Sequence, residues 1–194
     1  SASNAVIPVA LACGVAGIII GIITLTGVGL KFSTLVVMLS GGSLPLALVL
    51  TMITCLILGM GLPTAAAYLL VATLVAPALV NLGVSLLAAH LFVLYSAMLS
   101  SITPPVALAA YAAASISNGN PLKIAVLACK FGMAAFAVPY FFVYDPAILG
   151  IDVTWFQMAI SFVSAILGGI CASAAMLGYF TDKLNILDLA LIPI

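Results

Sequence analysis

A chain of 194 residues that is 66% hydrophobic and 4% charged, with a mean hydropathy of +1.48, lies far outside the soluble globular range and inside the membrane class. Lys31, Lys123, Lys130 and Lys183 balance Asp145, Asp152, Asp182 and Asp188, so the net charge is zero and there is no basic footprint for nucleic acid. Such proportions leave no room for a water-soluble domain, and the expected surroundings are lipid.

The few charges read as loop and interface residues, because intramembrane charge is costly. Cys13, Cys55, Cys129 and Cys171 sit singly in apolar runs without the close spacing of metal sites, and read as small packing residues. His90 is the only histidine. It is expected to be a hydrogen-bonded residue near a helix start.

Apolar sequence starts at once from Ser1, without a basic stretch and cleavage site, as in a piece of a longer polypeptide. Ala5 to Thr26 has the length of one span, and Gly17 and Gly21 give it a small-xxx-small packing face. Thr26 to Lys31 reads as a break. Phe32 to Leu39 is too short to cross a bilayer, and Ser40-Gly41-Gly42-Ser43 ends it, so residues 1–43 form a span and an interfacial connecting arm.

The next block, 44–144, carries the polar interruptions. Leu44 to Leu58 would rise about 22 Å as a helix, short of a hydrocarbon core of roughly 30 Å. Gly59-Met60-Gly61-Leu62-Pro63-Thr64 turns the chain, and Ala65 to Leu82 is apolar again. Residues 44–82 therefore read as a re-entrant helical hairpin, with two full spans joined by a tight turn as the alternative. The stretch 86–117 is long enough to cross, but Thr103-Pro104-Pro105 at its centre should split it into two half-helices, the second beginning at Pro105. Ser117 to Pro121 is a loop signal, and 123–144 reads as a further span ending in the aromatic cluster Tyr140 to Tyr144. Residues 145–194 supply a loop through Asp145 and Asp152, a last span from Trp155 to about Tyr179, a close at Thr181 to Asn185 and a short tail, Ile186 to Ile194.

Counting crossings places Lys31, Asp145 and Asp152 on one face and Lys123, Lys130 and Lys183 on the other. The lysine excess marks the second face as cytoplasmic. The hairpin then enters from outside.

Backbone that leaves a helix inside a bilayer survives only where protein buries it or where it lines a cavity. Between Lys31 and Lys123 there is no Asp, Glu, Lys or Arg, so any site at the two breaks must be built from neutral oxygens. Freed carbonyls and hydroxyls suit a hard cation such as Na+, while helix amide ends suit an anion. The tip and the break are expected to face each other across a cavity within the membrane.

Leu58 to Tyr68, then Ala76-Pro77, then Leu99-Ser100-Ser101-Ile102-Thr103-Pro104-Pro105-Val106-Ala107-Leu108 resemble the second half of the large membrane subunit of tripartite ATP-independent periplasmic (TRAP) transporters. Gly-Leu-Pro-Thr at the tip, and a span after the Asp145-Pro146 loop, are most similar to fused permeases that work with TAXI-type receptors. The resemblance covers about residues 5–180. It implies an all-α integral protein of the bacterial or archaeal cytoplasmic membrane, one of two inverted repeats of an elevator-type secondary transporter. It also implies Na+-driven uptake of organic acids delivered by a soluble periplasmic receptor, with a first repeat and a small membrane subunit as further partners. By position, Gly59, Gly61, Thr64, Ser100, Ser101 and Thr103 become the Na+ candidates, and Thr64, Ser101, Thr103 and Pro104 the substrate surface.

Na+ is then the coupling ion, with no organic cofactor. A divalent-anion/Na+ symporter-like protein or a channel using the same hairpin logic is the alternative. An intramembrane hydrolase needs a Ser-His pair, paired Asp residues or a metal cluster. His90 stands alone and every Asp lies outside the breaks, so no enzyme is expected.

Overall fold

The computed structural model describes residues 2–150 and 153–177. Asp152, Lys183, the close at Thr181 to Asn185 and the tail Ile186 to Ile194 lie outside them. Among the described residues there are nine α-helices, one 3-10 turn and no strand. The described chain is thus all-helical and apolar, and helices are one of the two ways a membrane-spanning chain satisfies its backbone in lipid.

Helix α1 (Ala2–Thr26) meets α2 (Val28–Leu39) at a single residue, Gly27, whose φ of 66° permits a 76° bend. The break expected over Thr26 to Lys31 is therefore narrower, and the arm starts at Val28. In α2 the small residues Gly29 and Ser33 are buried, and a methyl group built on Gly29 would stand 3.0 Å from the Thr73 carbonyl oxygen. Pro77, four residues beyond Thr73, has no N–H to offer that carbonyl. The absent side chain at Gly29 lets the arm lie directly on this weak point of the hairpin.

Helix α3 (Leu44–Gly59) and helix α4 (Thr64–Asn81) form the hairpin, and α5 (Leu86–Leu99) packs on both. Sixteen residues carry α3 only about 24 Å. Helix α4 is long and apolar enough by itself to cross a membrane. Val36, Cys55, Val71, Val75 and Val93 fill one core cluster, while Leu48, Met52, Leu79 and Phe92 fill a second. Cys55 is thus a packing residue. The Tyr68 hydroxyl and His90 Nδ1, 3.0 Å apart, add a hydrogen bond between α4 and α5.

Helix α6 (Leu108–Ser117) leads through the Asn120 cap into α7 (Pro121–Phe131), whose first amides bond the Asn120 side chain. Helix α8 (Met133–Tyr144) follows at a 46° bend, so the stretch 123–144 is two helices. The bend falls at Gly132. Pro139 sits inside α8 without ending it, and Tyr140 packs edge-on against Phe92 at 5.4 Å between centroids. Asp145 caps the 3-10 turn Pro146–Leu149, accepting from the Ala147 amide, before α9 (Trp155–Leu177) packs on α8.

The Thr51 hydroxyl in α3 is fully buried and has no hydrogen-bond partner among the described residues. An unpaired buried hydroxyl costs about 1–3 kcal/mol. Thr51→Val, which keeps the shape and drops the hydroxyl, is expected to raise the thermal midpoint of the purified protein by about 2–4 °C per kcal/mol recovered. A midpoint unchanged or lowered in a melting scan would contradict this.

Candidate functional site

The last turn of α5 tightens before it stops. The amides of Ser100, Ser101 and Ile102 bond the carbonyls of Ala97, Met98 and Leu99, three residues back, in 3-10 fashion. Pro104 and Pro105, joined by a cis peptide, then deny the helix two donors. Helix does not resume at Pro105 as expected but at Leu108. Ala107 caps it with φ 36°, and the Ala109 amide bonds the Ser101 carbonyl at 3.0 Å, docking the start of α6 on the break.

Three hydroxyls crowd this break. Ser100 Oγ donates to the Ala97 carbonyl at 2.7 Å, Ser101 Oγ to Met98 at 2.8 Å and Thr103 Oγ1 to Leu99 at 2.8 Å. Each of those carbonyls already accepts a backbone amide. The hydroxyls are therefore not needed to satisfy the backbone, and with their protons directed at carbonyls they keep only lone pairs for anything else.

At the hairpin tip, Gly61 has φ 81° and Pro63 is extended, so the chain turns between α3 and α4 within four residues. Among the described residues no backbone amide donates to the carbonyls of Met60, Gly61 or Leu62. Thr64, exposed at the first position of α4, makes no side-chain hydrogen bond among the described residues.

The structure brings tip and break together in direct contact, not across a cavity at this point. A methyl group built on Gly59 would stand 2.7 Å from Ser100 Oγ and 3.4 Å from the Ala97 carbonyl oxygen. One built on Gly61 would reach Val106 at 3.8 Å. Gly59 is buried and its own carbonyl accepts the Leu62 amide at 3.3 Å, and its missing side chain lets the hairpin close on α5. Ser100 is 3% exposed beneath it, while Ser101, Thr103 and Pro104 are half-buried.

Sequence reasoning missed the contact partners Val106 and Gly132. A methyl group built on Gly132 would stand 2.8 Å from Ile102 Cδ1, so the bend between α7 and α8 also reaches the break. A lone Gly inside an apolar run was the available signal.

Apolar helices, bent helix pairs and two apposed breaks rich in neutral oxygens define an integral membrane protein of the transporter class. The family model described as tripartite ATP-independent periplasmic transporter, DctM component, matches residues 1–155, and the chain belongs to that family. No curated protein and no solved structure matches it. The family consists of multi-pass proteins of the cytoplasmic membrane, which are transporters and not enzymes, and which work with a periplasmic binding protein and a small membrane subunit.

Proposed function

We propose that the chain forms the second inverted repeat of a Na+-coupled, elevator-type importer of organic acids handed over by a TAXI-type receptor. The carrying observation is the set of hydroxyls at Ser100, Ser101 and Thr103, whose protons point at carbonyls that are already paired. Together with the unpaired carbonyls of the tip they offer oxygen lone pairs to a hard cation, with no carboxylate between Lys31 and Lys123 to relay a proton. Ser101, Thr103, Thr64 and the Gly61 carbonyl are the proposed Na+ ligands, Ser100 supports them, and Gly59 allows the approach. The amide end of α4 at Thr64, together with Pro104 of the break, is the proposed seat for a substrate carboxylate.

The test is solute uptake into proteoliposomes containing the permease assembled with its receptor and small membrane subunit. An inward Na+ gradient alone is expected to drive uptake, and a proton gradient in Na+-free buffer is expected to drive none. Full uptake on the proton gradient alone would overturn the reading.

A further inference from the structure

The segment that carries Ser101 and Thr103 is gripped from two sides by residues that have no side chain. Gly59 admits Ser100 from the hairpin, and Gly132 admits Ile102 from the bend between α7 and α8. The Gly132 amide bonds the Ala128 carbonyl at 2.8 Å, which holds the glycine at the end of α7 where Ile102 meets it. Ile102 lies between Ser101 and Thr103 in sequence, and their hydroxyls bond only within their own turn. The backbone bond from the Ala109 amide to the Ser101 carbonyl ties this segment to α6, but no side-chain hydrogen bond among the described residues ties it to the hairpin or to the bend between α7 and α8, so on those two sides packing fixes its position.

We infer that Ile102, seated on Gly132, is a positioning residue that sets where the Ser101 and Thr103 oxygens stand relative to the hairpin tip. The inference rests on the Na+ reading given above. It makes the bend between α7 and α8 part of the site although neither helix contributes a ligand. A methyl group at position 132 meets Cδ1, the flexible end of the Ile102 side chain, which turns aside in part; the remainder reaches the backbone between Ser101 and Thr103, where a cation's coordination shell registers shifts of tenths of an ångström.

A double-mutant cycle tests it, read as the Na+ concentration for half-maximal uptake by the permease with its receptor and small membrane subunit. Gly132→Ala is expected to raise that concentration about threefold, because the Cδ1 end of Ile102 absorbs part of the conflict, while leaving the rate at saturating Na+ within about twofold. Ile102→Val removes Cδ1, the atom nearest Gly132, and alone should raise it about threefold. The pair together should return it to within about twofold of the wild type, because the added methyl group occupies the space Cδ1 vacates. Half-saturation unchanged in Gly132→Ala, or effects that simply multiply in the double variant, would overturn the proposal. Should Gly132→Ala fail to fold, Ile102→Ala must still raise the Na+ requirement, and an unchanged requirement there overturns the proposal as well. Wild-type uptake indifferent to Na+ would instead refute the Na+ reading. The cycle is then read on the solute's half-saturation, where compensation supports the positioning role and additivity overturns it.

Discussion

Gly59→Val is expected to cut transport by about ten- to a hundredfold while leaving the protein folded. A methyl group at position 59 already stands 2.7 Å from Ser100 Oγ and 3.1 Å from Ser100 Cβ, and valine adds two carbons to that conflict. Ser100 cannot step aside easily, because its hydroxyl is bonded to Ala97 and the residue is almost wholly buried. The strain is relieved by lifting the tip off α5. Over-packing of this kind costs about 1–3 kcal/mol, which shifts the closed arrangement by roughly ten- to a hundredfold. Uptake should fall by about that factor, with Gly59→Ala at the lower end. Removing the nearest clashing atom with Ser100→Ala should recover part of the loss in Gly59→Ala. Uptake by Gly59→Val within twofold of the wild type, at equal protein in the membrane, would show that tip and broken helix need not meet as they do here.

The two breaks are legible in the sequence because their causes are local. Gly61 supplies the positive φ and Pro63 the extended residue before α4, while Pro104 and Pro105 remove donors wherever they stand. The all-helical membrane class is equally local, since composition alone excludes a water-soluble core. What composition and spacing cannot carry is contact. The contact at Gly132 is with Ile102, which arrives from thirty residues upstream, while the Pro139 nearby is the more conspicuous residue yet does not end its helix. Likewise the start of α6 at Leu108 is set by the bond from the Ala109 amide to the Ser101 carbonyl, a pairing across the break. For the site, residue types name the oxygens that are present, whereas the direction of each hydroxyl proton follows only from geometry. The same holds for Gly59, whose missing side chain admits Ser100 only because of where α5 passes.

The second large effect concerns the hydroxyls themselves. Ser101→Ala combined with Thr103→Val is expected to raise the Na+ concentration for half-maximal uptake by about a hundredfold, each lost ligand contributing about 1–2 kcal/mol. The fold should not respond in proportion. Met98 and Leu99, whose carbonyls now accept these hydroxyls, keep their bonds from the Ser101 and Ile102 amides when the side chains are shortened, so nothing buried is orphaned. A structural role therefore predicts a small loss of stability and an unchanged Na+ requirement, whereas a ligand role predicts the reverse. Thr103→Ser, which keeps the oxygen and drops the methyl group, should stay close to the wild type. The tip carbonyls still coordinate in the double variant, so high Na+ should restore most of the maximal rate. A melting scan and a Na+ titration of uptake on the same preparation separate the two roles. Unchanged half-saturation in the double variant would remove Ser101 and Thr103 from the ion site and leave the Thr64 hydroxyl and the backbone carbonyls of Met60, Gly61 and Leu62 as the oxygens of the tip to hold the cation.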